Sequence, residues 1–199
     1  MMHIAVDMDD VMLDFVGGVL AAVKKEYGVA IPTESITAWN IGPVLNPIIG
    51  RSWWDWLKDR AWLWAHFPAI DGAIGGVDRL RRDGHYMELI TSKPDWAEHN
   101  VYRWLGKWRP AFQRVTIVGP KDNKADFTDA SLLIDDKPAN CEDFILADRR
   151  AILFTAPHNL SFDQASVKSI DGLAMPRAND WSVVVELVKR LEESYGAHW

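Results

Sequence analysis

In two places this chain sets acids where an apolar run stops. His3-Ile4-Ala5-Val6 runs into Asp7-Met8-Asp9, and Leu132-Leu133-Ile134 runs into Asp135-Asp136. A carboxylate can attack phosphorus and form an aspartyl-phosphate. A second carboxylate close by can protonate the leaving oxygen and then activate water. More acids crowded beside such a pair repel one another unless a cation sits among them. A hard divalent ion such as Mg²⁺ takes oxygen ligands and suits that cluster. Thr91-Ser92 offers hydroxyls and backbone N–H groups for phosphoryl oxygens, and Lys124 or Lys121 offers positive charge. Each piece also has a plain reading: an acidic turn, a helix cap before Pro94, a solvated lysine. The Asp135-Asp136 pair is the strongest signal, because two adjacent acids after an apolar strand are costly without a partner.

These groups act together only if the fold brings them to one place. Short apolar runs rich in aliphatic residues suit buried strands of a parallel sheet. The pattern gives strands ending at Asp7, over Tyr86–Thr91, over Arg114–Val118, over Leu132–Asp135 and over Ala151–Phe154. Helices are expected from about Leu13 to Tyr27, stopped by Gly28, and through Trp96, Val101, Leu105 and Trp108. A last helix, capped by Asn179 or Asp180, runs through Val184, Leu187, Val188 and Leu191. Such alternation implies an α/β fold, an open parallel Rossmann-like sheet with right-handed crossovers. The carboxyl ends of its strands share one edge, where ligands bind. Residues 31–71 interrupt the alternation and hold six of the 11 tryptophans. They read as a small, mostly helical cap insertion over the strand ends, with residues 1–30 and 72–199 forming the core.

The bulk numbers bound the rest. A chain of 199 residues that is 48% hydrophobic and 25% charged suits one folded domain with a modest insertion. A net charge of −6 disfavours a nucleic acid polymer but permits one small phosphorylated ligand. Cys141 is the single cysteine, which excludes an intrachain disulfide and a multi-cysteine zinc site. The apolar start breaks at Asp7 with no basic region before it, so a signal peptide is not expected, and no stretch reaches membrane-spanning length. A soluble, cytoplasmic protein is the expectation, and a homodimer is compatible with it. His158 and Cys141 read as structural, since nothing at metal-ligand spacing accompanies them.

The constellation is more specific than its parts. Asp7-Met8-Asp9-Asp10-Val11 with Asp14-Phe15, Ile90-Thr91-Ser92, Asn123-Lys124 and Ala130-Ser131-Leu132-Leu133-Ile134-Asp135-Asp136 occur in that order. With Phe154-Thr155-Ala156-Pro157-His158-Asn159 and Asn179-Asp180-Trp181, they resemble the haloacid dehalogenase-like (HAD) phosphohydrolases, and within them the 5′(3′)-deoxyribonucleotidases. The resemblance implies that Asp7 is nucleophile and Mg²⁺ ligand, and that Asp9 is general acid/base with its carbonyl on the metal. It implies that Thr91, Ser92 and Lys124 hold phosphate, and that Asp136, with Asp135 beside it, binds metal. Phe15, Trp39 and Trp56 would line the nucleoside pocket. Three departures stand out: Asp10 replaces the usual glycine, Asp95 occupies the place of a substrate-binding lysine with Lys93 two residues earlier, and Lys124 to Asp135 is one residue longer than usual. The expected activity is Mg²⁺-dependent hydrolysis of a nucleoside monophosphate. The alternatives are a phosphatase of the same fold for another small metabolite and a catalytically idle binding module. A dehalogenase would not need Asp9, and a receiver domain would not carry the insertion.

Overall fold

The computed structural model describes residues 1–168 and 172–196, with side chains through 193. Six strands lie parallel in one sheet, in the order β3-β2-β1-β4-β5-β6. They are β1 (His3–Val6), β2 (Tyr86–Ser92), β3 (Arg114–Val118), β4 (Leu132–Asp135), β5 (Arg150–Phe154) and β6 (Arg177–Ala178). The first strand is therefore central, with Val6 opposite Leu89 of β2 on one side and Ile134 of β4 on the other. The Asp7 N–H donates to the Ile134 carbonyl at 2.9 Å, so the ladder carries the first acid to the last one. Strand order reverses between β1 and β4, the switch point where an open α/β sheet leaves a crevice. The two acid pairs of the sequence sit on either side of it.

Successive strand residues point to opposite faces. Ile4 and Val6 join one apolar cluster with α1 (Phe15–Tyr27), α4 (Ala73–Arg82), α5 (Asp95–Trp108) and α7 (Trp181–Gly196). Ala5 joins the other, with Ile90, Leu133 and the Cys141 and Phe144 side chains of α6 (Pro138–Leu146). Cys141 is thus a core residue, as expected. The first helix follows its signals: Asp14 accepts from the Gly17 N–H at 2.9 Å, Val16, Val19, Leu20 and Val23 are buried, and Gly28 ends it at φ 72°. Asp180, not Asn179, caps α7, accepting from the Ser182 and Val183 N–H groups.

The expected helices and five longer strands are all present. Among the described residues, α4, α6 and the two-residue β6 had no assignment from the sequence. In α4, Gly76 is required by packing: a Cβ there would stand 2.3 Å from the Trp181 ring.

Residues 31–71 contain α2 (Gly42–Ile49), α3 (Trp53–Lys58) and 3-10 turns at Thr33–Ser35 and Ala61–His66. The segment's ends are tied down beside the site. Ile70 donates to the Met12 carbonyl at 2.9 Å, and Asp14 donates to the Pro68 carbonyl at 3.0 Å. Its buried Leu45, Trp56, Leu57, Trp64 and Phe67 run on into the α1 cluster. Among the described residues, no helix is long and apolar enough to cross a membrane.

Candidate active site

The crevice at the switch point opens into a cavity of about 460 Å³. Its floor is the acid cluster. Lys124, itself buried, donates to Asp7 Oδ1 at 2.6 Å and to Asp135 Oδ2 at 2.7 Å. It comes from a 3-10 turn, Lys124–Asp126, which Asn123 caps by accepting from the Ala125 N–H. Burial works against the Lys124 charge, but Asp135 and Asp7 outweigh it and hold the ammonium above its ordinary range. Lys121 is exposed and takes no part in the wall.

The two acids after β4 differ sharply. Asp135 is fully engaged: besides Lys124, it accepts from the Lys137 N–H at 2.8 Å and from Asn140 Nδ2 at 3.0 Å. Asp136 is just as buried, yet neither carboxylate oxygen has a hydrogen-bond partner. Burial, then Asp135 and Asp7, push its acid well above the usual carboxylate range. Asn159 Nδ2 fixes the backbone there, donating to the Asp136 carbonyl at 2.6 Å. Asp7, Asp135 and Asp136 bring one oxygen each within 4.8 Å of one another, a set with the hard oxygen donors a divalent ion takes. Orphaned, buried carboxylate oxygens beside two more acids fit such an ion, since a native fold rarely leaves buried polar atoms unpaired.

Asp9 leans the other way. Lys93 Nζ holds its Oδ2 at 2.5 Å and Trp64 Nε1 holds its Oδ1 at 3.1 Å. Burial raises the Asp9 acid, Lys93 opposes this, and Asp7 adds to the rise. Thr91, at the end of β2, has a buried Oγ1 with no partner, and Ser92 follows it on the wall. Above the floor the walls are aromatic. Phe15 stacks on Trp64 at 5.3 Å, and Trp53, Trp54 and the half-exposed Trp39 complete that side.

Residues 1–191 match the profile of a family described as 5′ nucleotidase, deoxy (pyrimidine), cytosolic type C protein (NT5C). The chain belongs to this family. It is 29% identical over 164 residues to a Staphylococcus epidermidis protein provisionally named 5′(3′)-deoxyribonucleotidase, covering 80% of this chain and 86% of the relative. A Staphylococcus aureus protein with the same provisional name is 28% identical over 192 residues, covering 91% and 92%. Among solved structures, a Bacillus subtilis HAD-hydrolase, YfnB, bound to magnesium, aligns with TM-score 0.65 at 12% identity over 94% of this chain and 97% of that one. The D,D-heptose 1,7-bisphosphate phosphatase of B. bronchiseptica, complexed with magnesium and phosphate, aligns with TM-score 0.53 at 13% identity over 96% and 99%. The fold is that of the HAD superfamily, and the protein is a phosphoric monoester hydrolase of the 5′-nucleotidase type.

Within this nucleotidase most residues named from sequence meet in the crevice. Asp7, Asp9, Phe15, Trp39, Thr91, Ser92 and Lys124 line the cavity, and Asp135 and Asp136 lie beneath it. Trp56 does not. It is fully buried, its Nε1 donates to Glu26 at 3.3 Å, and Arg60 lies over its ring. The turn of α3 points Trp53 and Trp54 at the cavity and sends Trp56 and Leu57 into the core.

Three groups were missed. Lys93 reaches Asp9, although only its displacement from the expected lysine position drew notice. His158, read as structural, lines the cavity with Nε2 2.9 Å from Asp136 Oδ2. Asp10 turns back at φ 52°, and its Oδ1 accepts from the Phe15 and Val16 N–H groups at 3.0 and 2.9 Å. A left-handed φ explains why glycine suits this position. Here the side chain offsets the strain by capping α1.

Proposed function

We propose that the protein hydrolyses a nucleoside monophosphate, a deoxyribonucleotide, through an aspartyl-phosphate on Asp7. The observation that carries this reading is one cavity with a polar floor of acids, Lys124 and Thr91 and an aromatic wall. Asp7 would attack phosphorus while Lys124 holds its carboxylate in place. Thr91 Oγ1, Ser92 and the Lys124 ammonium would take the phosphoryl oxygens. Asp9 would give its proton to the leaving sugar oxygen and then take one from the attacking water. Lys93 and Trp64 would hold Asp9 until the substrate arrives. Phe15, Trp39, Trp53 and Trp54 would contact the base and sugar; stacking contributes about 1–3 kcal/mol per base and distinguishes bases weakly.

Asp7, the Asp9 carbonyl and Asp136 would hold Mg²⁺. When bound, the ion would neutralise charge on the phosphate and the acid floor. The full engagement of Asp135 supports Asp136 as the direct ligand. Residues 31–71 act in this reading as the cap that sets selectivity. The family description accords with a cytoplasmic location.

A phosphate-release screen across nucleoside monophosphates and sugar phosphates tests the reading. Deoxyribonucleotides should lead, with turnover lost in chelator and restored by Mg²⁺. A sugar phosphate turned over faster than every nucleotide would refute the substrate class.

A further inference from the structure

Asp136 belongs to two clusters. One is the floor set with Asp7 and Asp135. The other joins it to Asp10 and His158, again with one donor atom from each residue and all three within 4.8 Å. We infer that Asp10, Asp136 and His158 form a second cation site, which takes a divalent transition ion and shares Asp136 with the first. The inference does not depend on which phosphate ester is hydrolysed.

Three observations carry it. The His158 side chain is only 4% exposed, and its Nε2 has no hydrogen-bond partner. That nitrogen stands 2.9 Å from Asp136 Oδ2 without being aligned as a hydrogen bond to it. Two donor atoms about 2.1 Å from one ion and at right angles to each other stand about 3.0 Å apart. The spacing therefore suits neighbouring ligands on one ion. Second, Asp136 has two unpartnered oxygens, so one can serve each cluster. Third, Asp10 is held in place by its two backbone bonds at the start of α1, although its φ favours glycine.

Donor chemistry sets the choice of ion. An all-oxygen set suits Mg²⁺, whereas imidazole suits Fe²⁺, Ni²⁺, Cu²⁺ and Zn²⁺; Mn²⁺, which oxygen donors also hold, is the paramagnetic probe for both clusters. Trp39, half-exposed on the cavity wall, packs against His158 at 4.9 Å with the two rings nearly perpendicular.

The test uses the full chain stripped of metal and then dialysed against Mn²⁺. The wild type should bind two ions per chain, and pulsed electron paramagnetic resonance should show ¹⁴N coupling from an imidazole ligand. His158→Phe should bind one ion and lose the coupling. Asp10→Gly relieves the backbone rather than straining it, so it should fold, and it too should fall to one. Asp7→Asn impairs only the first cluster and should keep the nitrogen signal. A single Mn²⁺ in the wild type would overturn the inference. So would absent ¹⁴N coupling there, two ions retained in His158→Phe, or loss of the signal in Asp7→Asn. Substrate screening plays no part in these readouts, so failure here leaves the hydrolytic reading standing.

Discussion

Replacing Asp136 by Asn removes a buried charge at almost constant volume, and it should make the metal-free protein more stable. Without a cation the wild-type carboxylate, at zero exposure, accepts no hydrogen bond among the described residues, and His158 Nε2 stands 2.9 Å from its Oδ2. A buried polar group left unsatisfied costs about 1–3 kcal/mol, more when charged. The amide of Asn still needs partners, so the net gain is roughly 1–2 kcal/mol. For a domain of this size each kcal/mol moves Tm by about 2–4 °C, giving a rise of roughly 2–8 °C in chelator. With Mg²⁺ at a hundredfold excess over Kd, the wild type gains about 2.7 kcal/mol, while the variant, lacking the charged ligand, gains little. The order of stability should therefore reverse. The pH dependence has a definite sign. The folded acid is raised above its unfolded value. Folding then takes up a proton, which favours the wild type at low pH. That benefit is lost as pH rises from the unfolded carboxylate range through the folded value. The variant's advantage should grow toward neutral pH and shrink in acid. Urea and thermal denaturation of both proteins, in chelator and in Mg²⁺ across pH 4 to 8, provide the measurement. A variant less stable than wild type in chelator, or Mg²⁺ stabilising both proteins equally, would refute the reasoning.

Three other outcomes are expected. Asp7→Asn should abolish the phosphoenzyme, whereas Asp9→Asn should slow both half-reactions yet still label Asp7 when the leaving group is good; rapid-quench trapping of labelled protein distinguishes them. Trp39→Ala should reduce nucleotide hydrolysis far more than hydrolysis of a small aryl phosphate. Trp56→Ala should instead cost about 3–5 kcal/mol of stability and leave that ratio unchanged, as kinetics and denaturation of the same preparations will show. Lys93→Met removes the cation that opposes the burial-driven rise of the Asp9 acid, so the step needing ionised Asp9 should shift to higher pH in single-turnover dephosphorylation; an unmoved profile would count against the Lys93–Asp9 pair.

The strands were legible because a strand buried on both faces must be an unbroken apolar run, and Ile4-Ala5-Val6 and Leu132-Leu133-Ile134 are such runs. Their acids could be placed because strand ends of a parallel sheet share an edge. What sequence did not give depends on contacts between distant segments. Helix α4 carries Gly75-Gly76, which lowers its local propensity, and its reason for being is the Trp181 ring brought by α7. Strand β6 has two residues, too few for any period. Trp56 and Trp54 are equally aromatic, and only the orientation of α3 separates core from cavity. His158 has no liganding neighbour nearby in sequence; Asp10 and Asp136 reach it through the sheet. Lys93 follows Ser92, and only the fold shows that it meets Asp9.

The strand order has a consequence for synthesis. The strand made first, β1, ends up in the middle of the sheet, and one of its neighbours, β4, is not made until residue 132. A nascent chain that has emerged only through β3 can pair β1 with β2 but leaves the other edge of β1 bare. Ile4, Ala5 and Val6, all at zero exposure in the finished fold, would then flank an open row of backbone donors and acceptors. Such an edge invites pairing with another chain. Asp7 adjoins that bare edge before either Lys124 or Asp135 has emerged. Its negative charge would then serve as a gatekeeper against a second copy of the same segment until β4 arrives to close the sheet.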